Sequence, residues 1–375
     1  MKKAVCISCT HHYHERIRPV ETALESAGYD ITYITSDFSH TAKEHYRVDL
    51  PHCVQIPTLP YTKNISPQRI LSHIRFASDA MAQVRRIQPD LLYVEVPPNS
   101  LCRAAARYKK ENPGVKLIFD IFDLWPESFP NSRAKQLLDL PFRVWAWFRN
   151  MGLPKADFVF TECDLFRQKL RKFLTEGKTE TLYLCRETAT VQVPALLPGE
   201  EALHLCYLGN INNIIDIPTI AALIGHIQKQ RPVVLHIIGD GESRDRFIDA
   251  VQETGAQVEF HGKIYDAAQK QAIFDLCSFG LNIMKPSVCV GLTMKSLDYF
   301  GGALPILNTL EADTWALVAQ RNLGINVCRE NLAETARQAA GITPQHQLEM
   351  AENTLQAFQE LFTEARFQQT LLSRL

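Results

Sequence analysis

The 375-residue sequence has no apolar run approaching the ~20 residues that a helical membrane span requires. A membrane-spanning helix is therefore not expected, whereas attachment to a membrane surface stays open. The chain has no surplus of either charge: 40 Lys and Arg against 41 Asp and Glu leave a formal net charge of −1. General nucleic-acid binding, which relies on excess Lys and Arg to meet phosphates, is excluded as an expectation. The ten cysteines follow no disulfide-framework spacing. Lys2 and Lys3 lead into an apolar run of only Ala4 to Ile7, too short for a signal peptide. A reducing, cytoplasmic protein is expected. No G-x-G-x-x-G follows the first strand of either half, which sets aside a dinucleotide dehydrogenase, and the lack of a P-loop sets aside a P-loop kinase.

What remains has ordinary globular composition, and its length suggests two domains of roughly 100–200 residues each. Strands and helices alternate. Strands are expected at 4–8, 31–35, 91–94, 115–120 and 158–161, with helices at 18–27, 70–87 and 101–110 between them. The rhythm fails over 186–200, where Pro194, Pro198 and Gly199 suggest a linker. It restarts with strands at 203–208, 233–238, 257–261 and 279–283 and helices at 217–230 and 267–276. Alternation of this kind implies parallel sheets covered by helices on both faces, with ligands at the carboxyl ends of the strands. The expected organisation is α/β: a first doubly wound domain over 1–190, a linker over 191–200, a second domain over 201–344 and a helical segment over 345–375 that packs on the second domain or returns to the first.

The segment from Gly291 to Leu307, GLTMKSLDYFGGALPIL, carries the most chemical information. Thr293 can cap a short helix by accepting a bond from a free first-turn N–H. Gly301 and Gly302 would allow a left-handed exit, and the apolar run 304–307 would enter a parallel sheet. Unpaired N–H groups and the positive end of the helix dipole make such a start a phosphate site. Asp298, about one turn further, would reach a ribose hydroxyl beyond that phosphate.

This segment resembles the donor-site segment of retaining, nucleotide-sugar-dependent glycosyltransferases of the GT-B fold, the family 4 group in particular, and within it bacterial capsule, exopolysaccharide and lipopolysaccharide enzymes. Other stretches match that family in order. Tyr207-Leu208-Gly209-Asn210 resembles its first donor-domain turn, Ile238-Gly239-Asp240-Gly241 its second, and Phe260-His261-Gly262-Lys263-Ile264 the strand end that reads the base. Asp123-Leu124-Trp125-Pro126-Glu127-Ser128 resembles an acceptor-side segment. The resemblance implies two Rossmann-like domains with an interdomain cleft. The chain departs from the family at Val290, where the first glutamate of E-x7-E would stand, and at Phe122, where a histidine is common.

On this resemblance the donor would contact Gly209, Asn210, Lys263, Ile264, Lys285, Thr293, Met294, Lys295 and Asp298. Lys285 and Lys295 would neutralise the diphosphate, since leaving-group charge is the main electrostatic demand of glycosyl transfer. Asp123, at a strand's carboxyl end, would orient an acceptor hydroxyl or take its proton, with Glu127 beside it. The alternatives are a helix-capping role for Asp123 and surface positions for Lys295 and Asp298. His11 and His12 would line the cleft. Cys6 and Cys9 with the nearby histidines resemble half a zinc site but lack a second pair, so no metal is expected. The aromatic and basic run 141–149 either buries its rings in the first domain or meets a membrane surface.

The resemblance implies transfer of a sugar from a nucleoside-diphosphate donor, UDP or GDP, to a hydroxyl of a bacterial surface glycan, including a polyprenyl-diphosphate-linked one. Retention of configuration is implied, without cofactor or essential metal. The alternatives are a non-catalytic subunit that binds nucleotide or glycan, and a sugar-nucleotide epimerase.

Overall fold

Short runs of β-branched and apolar residues between turn-forming residues become the central strands, because side chains covered on both faces need no polar alternation. The computed structural model describes residues 1–9, 13–129, 139–187, 191, 193 and 201–375, and of residues 13 and 14 the backbone alone. His11, His12 and most of the expected linker lie outside the described residues. The chain divides into two units, Met1–Cys185 with Glu364–Leu375, and Arg186–Thr363.

The first unit is a seven-stranded parallel sheet. Its strands are β1 (Lys2–Ser8), β2 (Tyr29–Ser36), β3 (Cys53–Ile56), β4 (Leu91–Val96), β5 (Lys116–Ile121), β6 (Phe158–Thr161) and β7 (Thr179–Thr181), in the spatial order 3-2-1-4-5-6-7. The order reverses between β1 and β4, and a ligand crevice forms at the carboxyl ends of the strands at such a point. Helices α1 (Arg18–Ser26), α2 (Pro67–Ile87), α3 (Asn99–Glu111), α4 (Asp139–Gly152) and α5 (Asp164–Leu170) cover the sheet. Helix α2 starts where Ser66 accepts from Arg69 N–H, with Pro67 supplying a preset φ, and ends at Gln88 in the left-handed region.

A buried polar network ties this unit together. Arg16 forks onto both oxygens of Asp120 at 2.7 and 2.6 Å and also donates to the Leu182 carbonyl. Tyr93 donates its hydroxyl to Asp120 at 2.6 Å. Both ionic side chains are fully buried, and each carboxylate oxygen has a donor, the condition under which a buried ion pair is tolerated.

The second unit is a six-stranded parallel sheet in the order 10-9-8-11-12-13. Its strands are β8 (Leu203–Leu208), β9 (Val233–Ile238), β10 (Gln257–Gly262), β11 (Phe279–Asn282), β12 (Ile306–Asn308) and β13 (Gly324–Asn326). Around it lie α6 (Ile217–Gln228), α7 (Arg244–Gln252), α8 (Ala267–Phe274), α9 (Met294–Gly301), α10 (Asp313–Arg321), α11 (Leu332–Ala340) and α12 (Pro344–Leu361).

Two local expectations need correction. The stretch after residue 344 is not one helix. It breaks at Phe362, and α13 (Glu364–Leu372) follows as part of the first unit. Ala357 and Phe358 are buried in the second unit, whereas Phe367 and Leu371 join the first unit's core. The glycines closing α9 make no left-handed exit: Gly302 has φ −91°, and the positive φ falls on Ala303 at 55°. They are needed for space. A Cβ on Gly302 would lie 2.5 Å from the Phe274 ring, and one on Gly301 would lie 3.1 Å from Phe358.

Candidate functional site

Three glycine turns stack at the carboxyl ends of β8, β9 and β10. Gly209 N–H donates to Ile238 O at 2.9 Å, and Gly239 N–H donates to Gly262 O at 2.7 Å. Gly209 and Gly239 have φ of 118° and 142°, and a Cβ on Gly239 would lie 2.0 Å from Gly209 O. Only glycine permits that approach. The turns line a cavity of about 520 Å³ together with Asn210, Lys263, Ile264 and Tyr265. The structure thus gathers four of the expected donor residues, Gly209, Asn210, Lys263 and Ile264, around one space.

The start of α9 stands beside the Gly209 turn. Thr293 caps the helix by accepting from Ser296 N–H at 3.2 Å and donates its own hydroxyl to Asn282 Oδ1 at 3.0 Å. Its hydroxyl is thereby committed, and the N–H groups of Met294 and Lys295 at the first helical turn are the donors left for a ligand. The cap is fixed from below by a ladder of asparagines in register on β11, β12 and β13. Asn282 donates to Asn308, and Asn308 donates to Asn326, each at 2.9 Å.

Lys295 is the cation at this helix start. Its Nζ lies 4.4 Å from the centre of the Tyr207 ring and 3.4 Å from Tyr207 Oη, and its Cε approaches Gly209. It forms no ion pair among the described residues. Burial pulls its ammonium down to about 8, because a half-buried charge without a counter-ion loses hydration. Tyr299 fixes the adjoining strand end: Leu208 N–H donates to its hydroxyl at 2.8 Å, and that hydroxyl donates to Cys206 O. Gly280 makes room, since a Cβ there would lie 2.7 Å from the Tyr299 ring.

Two expected donor residues have other partners. Lys285 donates to the Asn213 carbonyl. Asp298 sits 3.2 Å from Lys270 and 3.6 Å from Arg186, so its carboxylate already meets two cations.

The first unit has its own pocket, about 230 Å³, at the carboxyl ends of β1, β2, β4 and β5. Asp123, Arg69, His73, Tyr61 and Cys9 line it. Asp123 accepts from Ser128 Oγ at 2.7 Å. Burial pushes its carboxyl above the usual range, although Ser128, Arg69 and the Leu124 N–H all favour the anion. Arg69 is braced over the Trp125 ring at 4.8 Å. The Cys9 thiol is pushed up to about 12 by burial, so it is neither a ready nucleophile nor a metal thiolate near neutral pH. Cys6 lies in the core. Glu127 does not line this pocket but pairs through both oxygens with the fully buried Arg149. Glu127→Gln is expected to cost about 2–3 kcal/mol, less than the roughly 3–5 kcal/mol of a fully buried pair because Glu127 is 35% exposed. A lowered thermal midpoint would show it; an unchanged one would mean that water replaces the carboxylate.

Helix α4 divides its aromatic residues. Phe142 and Trp145 are buried, whereas Leu140, Val144, Trp147 and Met151 are exposed along one stripe. Arg103, Arg107, Lys110 and Lys155 surround Trp147 and Met151. Among the described residues no helix is long and apolar enough to cross a membrane.

Sequence reasoning missed Tyr207 as the platform for Lys295, the asparagine ladder, and Arg69 and His73. Gly280 inside a strand was a readable sign of close approach.

The Glycosyltransferase Family 4 model matches residues 20–188. Sucrose-phosphate synthase from Thermosynechococcus elongatus superposes with a TM-score of 0.69 at 16% identity, covering 99% of this chain and 97% of that one. HepE from Anabaena, in complex with UDP and glucose, gives 0.66 at 12% identity, covering 100% and 99%. WaaG, a glycosyltransferase involved in lipopolysaccharide biosynthesis, gives 0.61 at 13% identity, covering 98% of each chain. No curated protein matches the sequence. At these identities the structural likenesses define the fold, which is GT-B. Over residues 20–188 the sequence is in addition similar to Glycosyltransferase Family 4, a similarity that agrees with the fold.

Proposed function

We propose that the second unit binds a nucleoside-diphosphate sugar and that the first unit presents an acceptor hydroxyl of a bacterial surface glycan. Lys295 carries this reading: a half-buried cation without a counter-ion, at an open helix start beside a glycine turn, is prepared for an anion. The base would lie along Lys263 and Ile264, and the diphosphate over Gly209 and the Met294 and Lys295 N–H groups. The UDP bound to HepE supports a uridine donor. The likeness of 291–307 to a retaining donor segment supports retention. Asp123 would orient or deprotonate the acceptor hydroxyl. Asp298 would reach the ribose by exchanging one of its two cations for it.

A thermal-shift panel of UDP, GDP, ADP and CMP tests donor binding. A ligand that binds only the folded state stabilises it by about 2.7 kcal/mol at a hundredfold excess over Kd. UDP or GDP is expected to raise the midpoint, and Asp298→Ala to reduce the shift. No shift with any of them would remove the donor assignment.

The stripe on α4 supports a peripheral position at the inner face of the plasma membrane, where a lipid-linked acceptor would be found. Rings at headgroup depth and basic residues toward anionic lipid suit that role, each basic residue contributing about 1 kcal/mol. Replacing Trp147 and Met151 by Glu is expected to weaken binding to vesicles containing anionic lipid by about tenfold or more. Equal sedimentation of the two proteins with such vesicles would contradict it.

A further inference from the structure

Three histidines form a row across the second sheet: His204 on β8, His236 on β9 and His261 on β10. Their rings stack with centroids 5.2 and 5.3 Å apart and planes 22° and 7° from parallel. Strand alternation puts His204 and His236 on the face opposite Leu205, Leu235 and Ile237, which join the hydrophobic core. The contacts run nitrogen to nitrogen. His204 Nδ1 is 2.9 Å from His236 Nε2, and His236 Nδ1 is 3.1 Å from His261 Nε2. Glu259 stands opposite His236 in the strand register, with Oε2 3.3 Å from His236 Nδ1. None of the four lines the glycine-turn cavity.

We propose that His236 Nδ1, His261 Nε2 and a Glu259 carboxylate oxygen form a site for a divalent transition-metal ion of the zinc class. The three atoms lie within 4.8 Å of one another. A tetrahedral ion with bonds of about 2.0–2.1 Å holds its ligand atoms about 3.3–3.4 Å apart, and two of the separations here are 3.1 and 3.3 Å. Two imidazoles with one carboxylate suit zinc, nickel or copper and not magnesium or calcium, which take oxygen ligands. His204 fills the outer position that ligating histidines need: it accepts the Nε2–H of His236 and so directs the Nδ1 lone pair to the ion. His236 is the buried anchor, with 1% of its surface exposed. Glu259 is half-exposed and His261 exposed, which leaves an entry path and an open fourth position for water. The ion would clip the edge strand β10 to β9. Because β10 runs on into Lys263 and Ile264, the clip would steady one wall of the cavity without entering the transfer chemistry.

The test uses the full chain freed of metal by a chelator, with Co²⁺ as the spectroscopic probe. One equivalent of Co²⁺ should give the intense visible bands of a four-coordinate ion, and Zn²⁺ should bleach them. His261→Ala and Glu259→Gln change residues outside the buried core, so their metal-free melting curves should match the parent. Each should weaken Co²⁺ binding by about tenfold or more, and His204→Ala, which removes only the outer partner, should weaken it by roughly 10–100-fold. Absence of four-coordinate bands, or bands that survive both His261→Ala and Glu259→Gln, would overturn the site.

Discussion

Lys295→Ala is expected to weaken nucleoside-diphosphate binding by about 2–4 kcal/mol, or roughly 30- to 1,000-fold. The free protein should lose little stability and can gain some, because the change removes a charge that burial already disfavours. Lowered affinity with unimpaired stability separates a ligand-binding lysine from a structural one. The pH dependence adds a second sign. The ammonium titrates at about 8 in the folded protein and near 10.4 when unfolded. Between these values the unfolded chain holds a proton that the folded chain has released, so stability rises with pH across the window. Binding runs the other way. The diphosphate needs the charged form, so affinity should fall by up to about tenfold per pH unit above 8. Lys295→Met should flatten both trends. Denaturation midpoints and UDP titrations at about pH 7 and about pH 9, roughly one unit either side of the folded value, measure them. An affinity independent of pH would mean that Lys295 does not meet the phosphates.

Asp123→Asn is expected to lower transfer by about 10²- to 10⁴-fold while UDP affinity stays unchanged. Asparagine can still accept the Ser128 hydroxyl bond, so the pocket should persist and the loss would report the charge. Burial raises the Asp123 carboxyl above its ordinary range, so activity should fall as pH drops through that raised value. Ser128→Ala removes a donor that favours the anion, and it should move this acid limb to still higher pH. An acid limb indifferent to both changes would assign the limiting group elsewhere.

The fold was legible wherever apolar runs ended in turn residues. The strands 203–208, 233–238 and 158–161 match the structure residue for residue. Strands β3, β7 and β13 were not foreseen. They are three or four residues long, lie at or next to a sheet edge and are half-buried, so their side chains lack the unbroken apolar pattern of a central strand. The helix break at Phe362 was invisible because the residues on both sides keep helical character and differ only in which core they join. At the site, the Thr293 cap was readable because a cap is local. The contact of Lys295 with Tyr207 spans 88 positions, and nothing in either neighbourhood announces it. Likewise the asparagine ladder and the histidine row exist only through strand register, which the order of residues along one strand does not reveal. Glu127 looked like a companion to Asp123 by proximity in sequence, yet its partner is Arg149, whose burial could not be read from an aromatic and basic helix.

The central claim is that this chain turns over a nucleotide sugar at the second unit. The most direct measurement is release of free nucleoside diphosphate from a panel of UDP- and GDP-sugars, with and without a bacterial lipid extract. The account predicts release from at least one donor, stimulated by the extract, with a labelled sugar appearing in the lipid fraction and both signals lost in Asp123→Asn. Tight UDP binding with no release from any donor would contradict it, and would favour a non-catalytic nucleotide-binding subunit, as the valine at position 290 and the doubly paired Asp298 would then suggest.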